Sequence, residues 1–380
     1  VDSNLTTLLV AIIMFIFGES SIKGFATMTI ITVIVTMFTM VFITRWLMRL
    51  FVKTNYFNDK TNLFIAVKKN DIPDVSKNEG IKKVSFANVN FLKNKFIYFG
   101  ASILVILVGF GVMCVKGLNL GIDYRAGTDI TIATDTSLTE KDIVSDLDNL
   151  NLKSEGIDIT DSEIVIRVDE ALDGDTVKNV NNYFEEKYDA KVNIGVVSNV
   201  VKKELAKNAV ISILVALVGI IAYVSLRFKF SYAISGVIAL IHDVCIMISL
   251  FAIFRLEISS MFIAALLAVI GYSINDTIVT FDRIRELSKK NSKMTKDELE
   301  QLANKGIQET LDRTICTSIT TLIPVIVLIF LGSKEILTFN IAMLIGLIAG
   351  TYSSIFISVA LYVIFEKKII RKSKKRKESL

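Results

Sequence analysis

The chain has 380 residues, 52% hydrophobic and 21% charged, with a formal net charge of +5 and a mean hydropathy of +0.55. An ordinary soluble domain is less apolar and carries about a quarter charged residues, so the charge here must be gathered in a few places. Two prolines, three cysteines and one histidine exclude a disulfide scaffold, a Pro-rich linker protein and a His/Cys metal centre.

Taken in chain order, residues 3–18 form a short uncharged stretch, followed by uncharged runs at 24–44, 96–115, 208–226, 314–333 and 336–365. Residues 230–254 hold one charge, Asp243, and residues 258–281 hold one, Asp276. A helix needs about 20 mainly apolar residues to cross a bilayer core, so eight spans are expected, the first of them short. Cys114, Cys245 and Cys316 all lie in apolar runs and read as buried free thiols. Residues 367–380 are strongly basic, which places that tail in the cytoplasm. Counting back, 45–95 and 282–313 are also cytoplasmic, and 116–207 is external. The tail is expected to anchor to anionic lipid. The first apolar stretch begins abruptly at a Val, with no basic flank, and reads as part of a longer polypeptide.

The external block alternates as β-α-β-β-α-β. Strands are expected at 128–134, 156–160, 163–168 and 191–197. Helices are expected at 140–150, capped by Thr139 with Ile143, Leu147 and Leu150 inward, and at 175–188, with Val177, Val180 and Tyr183 inward. That order is the split βαβ, ferredoxin-like pattern. It carries no His, Cys or Gly-rich phosphate loop, which fits a binding or coupling module better than an enzyme domain. Residues 199–207 should continue as helix into the next span.

Charged groups inside spans are costly and usually functional. Ser273, Asp276, Thr277 and Thr280 follow i, i+3, i+4, i+7 spacing. Arg313 is followed by Thr317, Thr320 and Thr321. Arg keeps its charge at any relevant pH, so Asp276 alone can change protonation, an arrangement suited to a proton carrier. The alternative is a static ion pair or polar glue between helices. His242 and Asp243 lie mid-span, as a second relay member or as a packing hydrogen bond. Asn275 reads as a packing contact. Thr295 and Glu298 form a capping box opening a helix with Leu299, Leu302, Ala303 and Ile307 on one face. That helix either lies on the inner membrane surface or docks on the bundle.

Residues 1–51 align with 315–365 without gaps at an offset of 314. Thr6-Thr7-Leu8 matches Thr320-Thr321-Leu322, Gly18 matches Gly332, and Phe25 matches Phe339. Repeated membrane halves are typical of secondary transporters.

These motifs resemble the SecD/SecF family. Gly117 to Tyr124, including Gly121 and Asp123 and leading to Gly127, resembles the opening of the SecF external domain. Gly271 to Glu286 and Gln308 to Leu322 resemble its membrane motifs, and His242-Asp243 fits the pattern. Residues 1–50 resemble the last two helices of SecD, with 51–95 as a cytoplasmic basic linker. Residues 96–115 are then the first SecF-like helix, 116–207 the external domain, 208–366 five further helices and 367–380 the tail. Where the family has Phe-Thr-Gly-Gly, this chain has Tyr124-Arg125-Ala126-Gly127; where it has Asn, this chain has Cys316. The resemblance implies a polytopic α-helical membrane protein of the resistance–nodulation–division (RND) type, about eight helices here, with one α+β ferredoxin-like external domain. It implies a proton-driven auxiliary subunit of the Sec translocase in the bacterial cytoplasmic membrane, with Asp276 and Arg313 in the proton pathway. SecYEG, SecA, a YajC-like subunit, exported preproteins and an upstream SecD half are the implied partners, with no cofactor and no nucleic acid. Two alternatives stand beside it: an exporter of lipid or small molecules from the same superfamily, and a purely structural translocon subunit. An enzyme is not expected, since no nucleophile–base set is present.

Overall fold

The computed structural model describes residues 2–18, 20–54, 86–125, 127–133, 139–159, 163–289, 294–333 and 336–378. The membrane part begins with α1 (Asp2–Phe17) and α2 (Ser20–Phe38), which continues through a π-helical segment, Thr39–Ile43, into α3 (Thr44–Lys53). Then come α4 (Lys95–Lys116), α8 (Asn199–Arg227), α9 (Phe230–Ile253), α10 (Ser260–Ser288), α11 (Lys296–Leu331) and α12 (Leu337–Tyr352). A second π-helical segment, Ser353–Ser358, joins α12 to α13 (Val359–Glu378). Seven of these helical runs are long and apolar enough to cross a membrane, while α1 is a shorter apolar helix. At 16 residues and ~1.5 Å per residue, α1 rises about 24 Å, short of a bilayer core of about 30 Å.

At the centre stands α10. Ala264 to Gly271 are all buried, as a helix apolar on every side requires. Its neighbours α1, α9, α11 and α12 all pack on it. Outward, α4, α8 and α11 expose Leu107, Phe110, Leu214, Val218, Ile323 and Phe330, a surface suited to lipid. Cys114 and Cys316 lie on such exposed faces and Cys245 is half-buried, so the thiols are free but not interior, contrary to the sequence expectation. Periodicity within an apolar run does not tell a lipid-facing position from a protein-facing one.

The repeat is visible in the backbone. The two π-helical segments start at Thr39 and Ser353, which are 314 positions apart. Gly18 N–H donates to Met14 O at 2.8 Å and Gly332 N–H to Leu328 O at 2.9 Å, the same bond at the same offset. The equivalent rings of Phe25 and Phe339 touch each other edge to face, with centroids 4.9 Å apart.

Residues 282–313 are not a separate surface connector. α10 runs on to Ser288, and α11 is one helix of 36 residues that starts with the Thr295/Glu298 capping box and carries through the membrane. Leu299, Ala303 and Ile307 are buried against the bundle, so docking prevails over lying on a membrane surface. Glu300 ion-pairs with Lys95 at 2.8 Å and with Lys367.

Outside the bundle, a four-stranded antiparallel sheet runs β2 (Ser154–Ile159), β3 (Glu163–Val168), β1 (Gly127–Ala133), β4 (Lys191–Val197) in spatial order. The helices α6 (Glu140–Asn149) and α7 (Gly174–Tyr188) complete the ferredoxin-like pattern. Ile130, Ile132, Ile164 and Ile166 meet Ile143, Leu147, Val180 and Phe184 in its core. On α7 the fully buried positions are Val180 and Phe184, with Val177 and Tyr183 half-buried; the inward face is one position round from the sequence reading. Tyr183 turns its hydroxyl to Asp146 at 2.9 Å, beside Lys187 and Tyr188, which also donate to that carboxylate. Burial pushes the Asp146 carboxyl up, but these three donors outweigh it and hold it below the usual value.

Candidate functional site

The opening motif of the α+β domain is a mount. A short helix, α5 (Ile122–Arg125), begins it. Asp123 Oδ2 accepts the backbone N–H of Ser260, the first residue of α10, at 2.7 Å. Gly121 N–H donates to Ile258 O, and Ile258 N–H to Asn119 O. Gly127 has φ +134°, and a Cβ there would stand 2.5 Å from Val168 O, so only glycine starts β1 in this way. These residues lie far from the membrane acid: Asp276 is 16 residues further along α10 than Ser260, about 24 Å.

Asp276 lines a cavity of ≈ 230 Å³ between α10, α11 and α12. Arg313 and Thr317 face it from α11, Ser273 and Asn275 from its own helix, and Gly346 and Gly350 from α12. The Thr317 hydroxyl donates to the backbone carbonyls of Arg313 at 3.0 Å and Thr314 at 2.9 Å. The acid and the arginine expected to pair do share one chamber. Thr277 does not: it is buried on the other side, where a Cβ on Gly236 of α9 would stand 3.7 Å from its methyl. Thr280 turns to Thr310 at 3.2 Å. The chamber opens along α11, where Arg313 and Thr317 are exposed.

Two glycines on α12 make the chamber wall thin. A Cβ on Gly350 would stand 2.9 Å from Ser273 Cβ, and one on Gly346 2.3 Å from Val269 Cγ2. The spacing of four is a small-residue stripe that sequence reasoning could have noticed. Toward the charged ends of α10 and α11 the packing is close: a Cβ on Gly306 would meet Ile284 at 2.4 Å. There Arg283 pairs with Glu309 at 2.6 Å and Glu286 at 2.5 Å.

Asn275, besides lining the chamber, makes contacts between helices. It accepts from Thr6 at 2.8 Å and donates to Thr7 at 3.4 Å, tying α1 to α10. His242 Nδ1 lies 3.0 Å from Asp243. Asp243 is 1% exposed and also accepts from Ser273 at 2.6 Å and Ser353 at 2.8 Å. The sequence placed Ser273 with Asp276 rather than with Asp243, and did not single out Ser353, which lies 110 positions from Asp243. Among the described residues no three His, Cys, Asp or Glu side chains converge as a metal site.

Comparison with known proteins agrees with this architecture. The family model for the C-terminal part of the protein export membrane proteins SecD/SecF matches residues 176–368, and the SecD/SecF GG motif model matches residues 111–137. The chain is 37% identical to the protein translocase subunit SecDF of Bacillus subtilis, covering 98% of this chain and 51% of that one. It is 34% identical to the protein translocase subunit SecF of Alicyclobacillus acidocaldarius, covering 73% of this chain and 92% of the relative. The crystal structure of SecDF from Thermus thermophilus, described as a translocon-associated membrane protein, superposes with a TM-score of 0.80 at 30% identity, over 96% of this chain and 48% of that one. The chain thus spans about half the length of the fused relatives it matches.

Proposed function

We propose, on the premise that this chain belongs to the SecD/SecF family of protein export membrane proteins, that it is a multi-pass membrane component of the Sec translocase that uses proton movement to assist preprotein export. The observation carrying this reading is the chamber in which one ionisable carboxylate, Asp276, faces one permanent cation, Arg313. Ionised, Asp276 is attracted to the Arg313 guanidinium across the chamber they share. Protonated, it loses most of that attraction, and α11 is free to shift against α10. A charge crossing 100 mV releases about 2.3 kcal/mol, enough to bias such a shift. The close packing of Gly306 on Ile284 and the Arg283–Glu309 pair seal the chamber toward the ends of α10 and α11 that we place in the cytoplasm. The external domain, mounted on the start of α10 through Asp123 and on the segment before it through Gly121, transmits the shift to the emerging chain. In this reading residues 51–95 and the C-terminus are cytoplasmic, the membrane is the bacterial cytoplasmic membrane, and SecYEG, SecA, a YajC-like subunit and an upstream SecD-like half are the partners. The basic tail is assigned to anionic lipid.

The test is Asp276→Asn in the full-length protein, reconstituted with the translocase. Loss of proton-gradient-dependent export, with normal assembly, is the expected result. Unchanged proton-coupled export would overturn the reading, and loss of assembly alone would make the pair structural glue.

A further inference from the structure

The Asp276 chamber has a neighbour that the proposed cycle does not use. Ser273, on the chamber wall, turns its hydroxyl away from the chamber and donates to Asp243 Oδ2 at 2.6 Å. Asp243 also takes Ser353, the first residue of the second π-helical segment, at 2.8 Å, and His242 Nδ1 at 3.0 Å. The His242 side chain is 9% exposed, and its Nε2 is buried with no hydrogen-bond partner. Unsatisfied buried polar atoms are rare and call for an explanation. No protonation state of the ring resolves the defect. With the proton on Nδ1, Nε2 is an acceptor without a donor. With the imidazole charged, Nε2–H is a donor without an acceptor. The pair therefore lacks one hydrogen-bond partner at Nε2 in every state, behind a chamber that we read as carrying protons.

We infer that Asp243 and His242 form a second proton-binding site, joined to the Asp276 chamber through the Ser273 hydroxyl. The inference rests on the proton-carrier reading of Asp276 and extends it. A proton arriving on Asp243 removes the charge that holds Ser273 and Ser353. The first of these borders the chamber, and the second opens the irregular turn between α12 and α13, where a change of register has the least helix to break. The hydroxyl hands the proton across by giving up its own to Asp243 while accepting one from the chamber side, so the count of protons and bonds balances.

Few other titratable groups bear on the site. From α12, Tyr352 stacks on the His242 ring, with centroids 6.1 Å apart, and its hydroxyl donates to Tyr98 O on α4 and meets Ser102. Asp276 and Arg313 stand across the chamber from α10 and α11. Tyr232 on α9 itself, Tyr362 and Glu366 on α13, and Arg227 ending α8 lie toward the other end of α9; Tyr232 is ten residues from His242, about 15 Å along the helix.

The experiment is pH-titrated infrared difference spectroscopy on the full-length protein in phospholipid vesicles, read in the carboxylic-acid stretching region. Wild type is compared with Asp243→Asn, Ser273→Ala, Ser353→Ala and Asp276→Asn. Asp243→Asn should remove one titrating carboxyl band. Ser273→Ala should shift the midpoint of the band assigned by Asp276→Asn by about threefold in proton affinity or more, whereas Ser353→Ala should shift only the Asp243 band. If Asp243→Asn fails to fold, the two serine variants carry the same question, because each shifts the Asp243 band in the folded protein. An Asp243 carboxylate that stays ionised throughout the titration overturns the inference, as does an Asp276 midpoint indifferent to Ser273→Ala. Either result can stand with export still dependent on Asp276, so this failure is distinct from failure of the proton-carrier reading, which the export assay reports.

Discussion

A carboxylate in a membrane interior persists only where its surroundings compensate its lost hydration, and the two membrane acids differ in how that is done. Asp243 is enclosed by two hydroxyls and an imidazole, whereas Asp276 shares a chamber with a guanidinium. Spacing alone put Ser273, Asp276, Thr277 and Thr280 on one face, but a helix face is broad, and neighbours on three sides divide it between the chamber, α9 and α11. The α+β domain has its own buried acid, Asp146, with Lys187, Tyr183 and Tyr188 as donors. Asp146→Ala leaves three donors without their acceptor and should cost about 2–4 kcal/mol, seen as a lowered urea midpoint for amide protection in α6 and α7. The carboxyl is held below its ordinary value, so its contribution is present above the unfolded pKa of about 3.9 and is lost as pH falls through the folded value. Wild-type protection, pulse-labelled at one common pH, should hold down to about pH 4 and fall below it. The Ala variant should lack this acid-sensitive component. An identical acid profile in both would exclude the assignment.

At the scale of elements, local chemistry was a good guide to where helices start. Thr139 with Asp142 and Thr295 with Glu298 both form capping boxes in the structure. Thr295→Ala removes the acceptor for Glu298 N–H and should destabilise the first turns of α11 by about 1 kcal/mol, measurable as faster amide exchange at residues 298–300. No change there would mean that docking alone holds the end. Helix ends were harder to read. α10 and α11 continue well past the apolar runs, because packing against each other, through Gly306 on Ile284 and Arg283 with Glu309, sustains them without lipid. Gly306→Leu would drive a side chain into Ile284 and should cost about 1–3 kcal/mol, read as a lower detergent-solubilised Tm than that of a lipid-facing control such as Ile323→Leu. Equal Tm values would contradict the close contact.

For the whole molecule, the repeat is the organising feature. Its two copies share a π-helical segment and a loop glycine at the same offset, and they meet at Phe25 and Phe339. Between them, α1 of the first copy lies on α10. A Cβ on Gly271 would stand 3.8 Å from Val10 Cβ, the spacing of a disulfide. In a background lacking the native cysteines and carrying a protease site between residues 55 and 85, Val10→Cys with Gly271→Cys should cross-link on mild oxidation. The two fragments then stay joined after cleavage until reduced. Failure to cross-link in the folded protein would displace α1 from α10.

From its residues alone the chain determined that it spans a membrane many times, that its polar block has ferredoxin-like order, and that Asp276, Arg313 and Asp243 are the groups needing explanation. Apolar runs, alternation and misplaced charges are local properties, and each is written within a few turns of chain. Only the tertiary structure decided which hydroxyls serve which acid, that two of the three thiols face outward, that Thr277 turns away from the chamber, and that Ser353 reaches Asp243. Those choices depend on how helices rotate about their axes and on which neighbours come within hydrogen-bond range. Rotation and contact are set by packing across distant segments, which no single stretch of sequence contains.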